Sequence, residues 1–380
     1  MELGNVLDIT TRTRVPVLIW GPPGVGKSAA ILHWATTRTL PCWTVIASLR
    51  DPSDFGGLPV IQRLEEPLSL NGCTVPSVSF APPRFAVEAA IHGGVIFLDE
   101  LTTAPPAVQA ALLRAVLDAA FGDLQLPRDR VAIVAAANPP EVAAGGWDLA
   151  APLANRFLHL QFSPKAEDWV THFPDYWGFP PELSYQGQTV DETRWARART
   201  VVAAFIRARP VLLLQVPLED GRRGGAWPSP RTWDFASRIL ACTSASVSDL
   251  SDALPLLAGC VGDGPALELV AWLRDLDLPD PEELLTHPES YRHPNRSDQA
   301  YAVLDAVVRA ALERTTPERW LAAWRVLATA ASAGGADVAA AAARRLALAR
   351  RGDLPLPKRE LALFLPILQA AGLIAGRAGA

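Results

Sequence analysis

The stretch GPPGVGKS at residues 21–28 constrains the fold of this chain more than any other part of its sequence. It follows an apolar run, VPVLIW, and precedes a helical pattern that starts near Lys27. Its glycines allow the backbone to curl so that successive N–H groups point at an anion at the positive end of the helix. The pattern G-x-x-x-x-G-K-[ST] therefore predicts a phosphate-binding loop, in which Lys27 reaches the β- and γ-phosphates and Ser28 binds Mg²⁺. The predicted nucleotide contacts are Gly21, Pro22, Pro23, Gly24, Val25, Gly26, Lys27 and Ser28.

Short apolar runs, rich in β-branched and aromatic residues, alternate with helical patterns through the first 160 residues. Runs of this kind are typical of strands that are buried on both faces of a parallel sheet. The predicted strands are VPVLIW (15–20), WTVIAS (43–48), GVIFLDE (94–100), VAIVAAAN (131–138) and FLHLQF (157–162). The alternation of strand and helix predicts an α/β fold with a doubly wound parallel sheet.

Two inserts interrupt this alternation, and helices replace strands after it. Residues 58–80 predict a β-hairpin around Asn71-Gly72, and residues 120–131 predict a second, shorter hairpin. Helical periodicity dominates from about residue 164, and a Pro/Asp-rich segment at 277–298 divides the helices. We therefore predict three domains: a core at 1–163 that carries both hairpins, an all-helical lid at 164–277, and an Ala-rich helical region at 278–380. Thr316 is predicted to cap one of the last helices.

Acidic and amide side chains end two of the predicted strands. The strand VIFLDE ends in Asp99 and Glu100, about 70 residues after Lys27. Asp99 is predicted to hold the metal together with Ser28, and Glu100 to orient and polarise the attacking water. The strand VAIVAAAN ends in Asn138, which either starts the turn NPPE or senses the water and the γ-phosphate. The strand order favours the second interpretation.

Two arginines have no local explanation. Arg156, in PLANRF, lies at the entry to the last strand. It is either a surface residue with its stem along apolar side chains, or a cation aimed at a phosphate that its own chain does not hold. Arg231, in PSPRTW, starts a predicted helix. Because the positive end of the helix dipole disfavours a structural cation there, we favour contact with the γ-phosphate over a solvated arginine.

The composition argues against several other classes of protein. The net charge of −5 gives no basic footprint for nucleic acid or an anionic membrane surface. No secretory signal and no membrane-spanning stretch are expected, because the N-terminal residues lack a basic segment before an apolar one and the apolar stretches are interrupted by arginine and proline. The four cysteines lack C-x-x-C spacing, so we expect reduced thiols in a cytoplasmic protein.

The order of the motifs GPPGVGKS, IFLDE, ANP, LANRF and PSPRTW resembles that of AAA+ ATPases. The two hairpins, together with RDPSDFGGLPV, FAPPRF and DELTTAPPAVQAALLRAVLD, resemble the MoxR branch of the helix-2-insert clade. The resemblance covers residues 10–162 most fully and the helical lid to about residue 275 less fully. The sequence departs from many relatives of this family at two places. Thr103 stands where arginine is frequent, and LANRF replaces LDRF. These departures put the subgroup and its partner in doubt more than the ATPase activity.

This resemblance implies an ATP- and Mg²⁺-dependent ring ATPase, usually a hexamer, that acts as a remodelling or maturation chaperone on a protein client. It also implies a partner with a von Willebrand factor A domain. By similarity, Lys27 and Ser28 are Walker A residues, and Asp99 and Glu100 are Walker B residues. In the same way, Asn138 is sensor 1, Arg156 is the arginine finger, and Arg231 is sensor 2. Two alternatives stay open: a nucleic-acid-directed motor of the same fold, and an ATP-gated component of a defence or signalling complex.

Overall fold

The computed structural model describes most of the chain. The described residues are 3–62, 69–70, 73–74, 77–142, 146–178, 182, 184–185, 188–219, 223–242, 247–274 and 278–366. They belong to two compact units, Met1–Pro164 and Lys165–Ala380. The predicted hairpin turn Asn71-Gly72 lies outside the described residues.

The first unit alternates strands and helices. Its elements are α1 (Leu3–Thr13), β1 (Val17–Trp20), α2 (Lys27–Thr37), β2 (Cys42–Ile46), α3 (Ser53–Gly56), β3 (Leu58–Gln62), β4 (Ser69–Leu70), β5 (Cys73–Thr74), β6 (Ser77–Ala81), α4 (Arg84–His92), β7 (Gly94–Asp99), α5 (Pro106–Asp118), β8 (Ala120–Phe121), β9 (Leu124–Gln125), β10 (Val131–Ala137), α6 (Ala151–Ala154) and β11 (Leu158–Gln161). Helix α1 was not among the sequence-based predictions.

The five predicted strands form one parallel sheet in the order β11-β1-β10-β7-β2. Successive residues of a strand point to opposite faces, and both faces are covered. On one face Leu18, Ile96 and Ala135 belong to a core shared with α4, α5 and α6. On the other face the alternate strand residues belong to a core shared with α1 and α2. This arrangement explains the continuous apolar runs and confirms the predicted α/β class.

The two inserts form antiparallel hairpins that are bound to each other. Strand β3 pairs with β6, β4 with β5, and β8 with β9. The turn of the second hairpin lies against β6, where Phe80 N donates to Asp123 Oδ2 at 2.7 Å and Asp123 N donates to the Phe80 carbonyl at 2.9 Å. Gly122 has a φ of 56°, and a Cβ there would lie 2.5 Å from the Phe80 carbonyl oxygen. Only glycine fits this contact.

The second unit is mainly helical. Its elements are α7 (Ala166–His172), β12 (Ser184–Tyr185), β13 (Gln188–Thr189), α8 (Glu192–Ala208), α9 (Pro230–Cys242), α10 (Val247–Val261), α11 (Asp263–Arg274), α12 (Pro281–Thr286), α13 (Ser297–Glu313), α14 (Pro317–Ala330), α15 (Ala336–Leu348) and α16 (Lys358–Leu361). The predicted cap is present, since Thr316 Oγ1 accepts a hydrogen bond from Arg319 N at 3.3 Å.

One apolar core runs through this unit, from Trp169 to Phe364. The sequence placed a domain boundary at 277/278, but contacts cross it. The Tyr301 hydroxyl donates to the Val170 carbonyl at 3.0 Å. The Pro/Asp-rich segment interpreted as a linker contains helix α12, because Asp280 Oδ1 accepts a hydrogen bond from Glu282 N and Pro281 fits the first helical turn.

One helical stretch among the described residues, Pro317–Leu348, is long and apolar enough to cross a membrane by length and composition alone. Trp320, Trp324 and Leu327 within it are buried in the core of the second unit. A buried core helix passes the same test, so the stretch is weak evidence for a membrane span.

Candidate functional site

The loop between β1 and α2 has the geometry that its glycines predicted. Gly24 and Gly26 have φ angles of 78° and 94°, which favour glycine. A Cβ at Gly21 would lie 2.5 Å from the Phe162 carbonyl oxygen, so the loop packs tightly beside β11. Val25 is buried and anchors the loop. Since Pro22 and Pro23 carry no N–H, the backbone donors of the loop come from the residues that follow them.

Lys27 joins this loop to the end of β10. Its Nζ lies 2.6 Å from the Gly21 carbonyl, 3.0 Å from the Pro22 carbonyl and 2.8 Å from Asn138 Oδ1. The residue is only 8% exposed. An ammonium group has three donors, and three oxygen atoms meet it here. The structure thus brings together two of the predicted site residues, Lys27 and Asn138.

Ser28 joins the start of α2 to the end of β7. Its hydroxyl donates to Asp99 Oδ2 at 2.6 Å, while Asp99 Oδ1 accepts a hydrogen bond from Glu100 N at 2.9 Å. A hydroxyl and a carboxylate oxygen are ligands that Mg²⁺ accepts, with waters and phosphate oxygens completing its shell. The pair therefore fits a magnesium site, and Ser28 and Asp99 lie together as the sequence predicted.

Glu100 occupies a strained position directly after Asp99. Its φ is 57°, in the left-handed region that a residue with a side chain rarely adopts. Its Oε2 accepts a hydrogen bond from Ser48 Oγ at 2.8 Å, and its carbonyl accepts one from Thr103 Oγ1 at 2.8 Å. Strain of this kind persists where the surrounding structure fixes it, often at functional sites. The turn presents the Glu100 carboxylate at the edge of the sheet that carries the loop.

Ser48 was missed by the sequence analysis, although a signal for it exists. It lies two residues after β2, the strand that pairs with β7 so that Ile46 is opposite Asp99. Carboxyl ends of parallel strands meet at one edge of a sheet. A hydroxyl residue after β2 was therefore a candidate neighbour of Glu100.

Thr102 and Gln109 were also missed. Thr102 is fully buried, and its hydroxyl donates to the Asn138 carbonyl at 2.9 Å. Its own carbonyl accepts a hydrogen bond from Trp147 N at 2.7 Å. Gln109 is 1% exposed, and its Oε1 accepts a hydrogen bond from Ala150 N at 2.8 Å. Through these side-chain and backbone contacts, the two residues connect the segment after Glu100 and the end of β10 to the segment that leads into α6.

Arg156 does not join this cluster. It precedes β11, whose first residue, Leu158, is opposite Val17 at the start of β1. The loop follows the other end of β1, about 13 Å away at a strand rise of roughly 3.3 Å per residue. The half-buried guanidinium donates from Nη1 to the Pro152 carbonyl at 2.7 Å. Among the described residues, its Nε has no hydrogen-bond partner.

Arg231 belongs to the second unit and is the second residue of α9. The start of that helix is fixed by Ser229 and Thr232, since Ser229 N donates to Thr232 Oγ1 at 2.8 Å and Thr232 N donates to Ser229 Oγ at 3.3 Å. This reciprocal capping leaves Arg231 exposed in the first turn.

No known family model matches the chain, and no characterised protein matches its sequence. Solved structures do resemble it. They include a candidate ATPase from Cytophaga hutchinsonii, at 17% identity over 68% of this chain and 79% of that one, with a TM-score of 0.32. A Holliday junction branch migration motor, RuvB of Thermotoga maritima, is 16% identical over 81% and 78%, with a TM-score of 0.35. NtrX of Brucella abortus is 18% identical over 92% and 69%, with a TM-score of 0.31.

Similarity at this level says nothing about activity. A function for this chain therefore has to be inferred from the geometry of the site. The five-stranded parallel sheet and the helical second unit fit the predicted α/β class with a helical region after the sheet.

Proposed function

We propose that this chain binds ATP with Mg²⁺ and hydrolyses it as a subunit of a ring, in which a neighbouring subunit completes the catalytic site. The observation that carries the proposal is the pairing of Lys27 with Asn138 and of Ser28 with Asp99 around one glycine-rich loop. These pairs bring a phosphate-binding cation, a polar sensor and an oxygen-rich metal site to one edge of the sheet.

In this proposal the loop binds the phosphates. Backbone N–H groups from Gly24 onward point at phosphate oxygens at the N-terminus of α2, where the helix dipole favours negative charge. Lys27 exchanges its three oxygen contacts for contacts with the β- and γ-phosphates. Ser28 and Asp99 would hold Mg²⁺, which when bound would neutralise phosphate charge and orient the γ-phosphate.

Glu100 and Asn138 act on the attacking water. The Glu100 carboxylate orients the water and accepts its proton, after giving up its hydrogen bond from Ser48. Asn138 releases Lys27 and turns its amide toward the water and the γ-phosphate. Thr102 holds the Asn138 carbonyl throughout, so the backbone of this residue stays fixed while the side chain moves.

Arg156 serves the site of the neighbouring subunit. It lies beside the start of β1, whereas the loop follows the end of that strand. A ring is the arrangement that lets Arg156 meet the ATP of another subunit. There it stabilises the charge that develops on the transferred phosphoryl group, as an arginine finger does. Arg231, exposed in the first turn of α9, contacts the γ-phosphate as a second sensor. We propose a hexamer, by the same resemblance to AAA+ ATPases.

The work of the ring is remodelling of a protein client, as in MoxR relatives, together with a partner that carries a von Willebrand factor A domain. Ile61 and Val78 pair across β3 and β6 and are both exposed. This apolar side of the hairpin supports contact with a protein rather than with nucleic acid. The net charge of −5 supports the same choice. The four cysteines without C-x-x-C spacing support a cytoplasmic location.

A comparison of wild type with Glu100→Gln tests the proposal. The variant is expected to bind ATP and assemble while losing turnover. Glu167→Gln, which makes the same change at an exposed position outside the cluster, is the matched control and should hydrolyse ATP normally. Equal hydrolysis by wild type and Glu100→Gln would contradict the proposal. Stimulation by DNA or RNA with a steep salt dependence would favour a nucleic-acid motor instead.

A further inference from the structure

His159 forms a bridge between the phosphate loop and the segment that carries Arg156. Its Nδ1 accepts a hydrogen bond from Trp20 Nε1 at 2.8 Å, and its Nε2 lies 2.8 Å from the Ala154 carbonyl. The two rings are nearly parallel, with centroids 6.0 Å apart and planes at 15°. Because the indole nitrogen can only donate, Nδ1 must accept, so the proton of the neutral ring lies on Nε2 and is donated to Ala154. Both nitrogens and the tautomer are thereby fixed.

One end of this bridge is next to the phosphate-binding loop. Trp20 is the last residue of β1, and Gly21 follows it with the carbonyl that accepts a hydrogen bond from Lys27 Nζ. The Trp20 carbonyl also accepts a hydrogen bond from Phe162 N at 2.7 Å. When Lys27 leaves the Gly21 carbonyl for a phosphate, the change therefore occurs one residue from the indole that His159 holds.

The other end of the bridge is next to Arg156. Ala154 is the last residue of α6, two positions before Arg156. The same carbonyl accepts a hydrogen bond from Phe157 N at 3.2 Å. A shift of the Ala154 peptide therefore changes the direction of the backbone that presents the guanidinium.

Stability does not explain this arrangement. His159 is exposed, and hydrogen bonds of exposed groups add little to stability because water competes for them. The pairing of β11, an edge strand of the sheet, does not require a histidine at this position. Gln109 and Thr102 hold the approach to α6 from the side of Glu100 and Asn138. The His159 bridge adds a separate connection to the loop, through Trp20.

We propose that His159 is a positioning residue that couples the nucleotide in this chain's own site to the direction of Arg156, and so to hydrolysis in the adjacent site. This inference rests on the proposed function, in which Arg156 completes the site of a neighbour. It predicts that ATP hydrolysis by the ring is positively cooperative in ATP. It also predicts that the cooperativity depends on both hydrogen bonds of the bridge.

The experiment measures steady-state hydrolysis against ATP concentration for the full chain. His159→Phe keeps an aromatic ring against Trp20 but removes both hydrogen bonds. His159→Gln supplies an acceptor and a donor on one side chain, and Trp20→Phe removes the donor at the other end. Binding of a fluorescent ATP analogue and thermal unfolding are measured in parallel, so that loss of binding or of folding is recognised.

Wild type is expected to give a sigmoidal curve. His159→Phe and Trp20→Phe are expected to give hyperbolic curves, with maximal turnover lower by about fivefold, the lower end of usual site-to-site coupling, and with analogue binding and unfolding temperature close to wild type. His159→Gln is expected to recover part of the sigmoidal response. A purely structural role would lower the unfolding temperature without changing the shape of the curve.

Other outcomes overturn the inference. If wild type hydrolyses ATP without cooperativity, or if His159→Phe stays as cooperative as wild type, the inference fails while the proposed function stands. If both wild type and His159→Phe fail to hydrolyse ATP, the proposed function fails and the inference falls with it. If His159→Phe does not fold, the dependence of hydrolysis on ATP concentration is measured for Trp20→Phe instead. A hyperbolic curve supports the inference, and a sigmoidal curve overturns it.

Discussion

Replacing Asp305 with alanine removes the centre of a buried ion network in the helical unit. Asp305, on α13, is 2% exposed. Its Oδ2 accepts hydrogen bonds from Thr200 Oγ1 at 2.6 Å and from Arg309 Nε at 2.8 Å, and its Oδ1 accepts one from Arg345. Asp175 lies 2.8 Å from each of the same two arginines. The network thus connects helices on both sides of the 277/278 boundary that the sequence suggested.

The expected loss of unfolding free energy depends on which charged groups keep a partner after Asp305 is removed. Removing one partner of a buried ion pair destabilises by about 3–5 kcal/mol, because it leaves a buried charge uncompensated. Arg309 and Arg345 keep Asp175 and are 13% and 17% exposed in their side chains, so we expect the lower end, about 3 kcal/mol. Asp175 is 40% exposed, so Asp175→Ala is expected to cost about 1 kcal/mol or less. For a unit of this size, 3 kcal/mol corresponds to a fall in Tm of roughly 6–12 °C.

Urea unfolding of the full chain, followed by tryptophan fluorescence, measures both variants against wild type. Hydrogen exchange with mass spectrometry then asks whether α8 and α13 lose protection together, as the bond between Thr200 and Asp305 requires. Asp175→Ala is the matched control, since it removes an acidic partner of the same arginines at the more exposed end. The reasoning is refuted if Asp305→Ala costs less than about 1 kcal/mol, or if Asp175→Ala costs as much.

Two further predictions concern turnover. Arg156→Ala should bind ATP normally but lose turnover by about 10³-fold, because in the proposed ring its guanidinium serves another subunit. Mixing it with Lys27→Ala should restore some activity, and full activity of Arg156→Ala alone would contradict this. Ser48→Ala frees the Glu100 carboxylate from a hydrogen bond worth about 1 kcal/mol, so turnover at saturating ATP should rise by up to about fivefold. A fall instead would mean that Ser48 orients Glu100 for catalysis.

Much of the fold is predictable because buried parallel strands leave a strong pattern. All five sheet strands were recognised, with ends within about two residues of the structure. Helix α1 was not recognised, because it has no acidic residue in its first turn and buries only Leu7 and Thr10. Helix α12 was interpreted as a linker because proline and aspartate usually mark loops. The same two residue types, Asp280 and Pro281, start a helix here.

The site divides in a similar way. Lys27, Ser28, Asp99 and Asn138 were predicted because the chemistry requires fixed residue types at the ends of particular elements, and the structure brings these four together. Ser48, Thr102, Gln109 and His159 were missed because each acts through a contact between elements. Such contacts depend on sheet order and register, which the spacing of a motif does not contain. The roles of Lys27, Ser28, Asp99 and Asn138, and those of Glu100, Arg156 and Arg231, stay predictions.

The charges of the site explain why a single subunit is an incomplete enzyme in this proposal. The cluster joins one cation, Lys27, to two carboxylates, Asp99 and Glu100, so their formal sum is +1 − 2 = −1. Ser28 and Asp99 would hold a magnesium ion that offsets part of the charge of a triphosphate. The negative charge that spreads over the γ-phosphoryl oxygens during transfer would still need a further cation. Arg156 lies beside the start of β1, at the other end of this strand from the loop, and its guanidinium donates to the Pro152 carbonyl. A neighbouring subunit that presents this end of the strand supplies that cation, and catalysis then requires assembly.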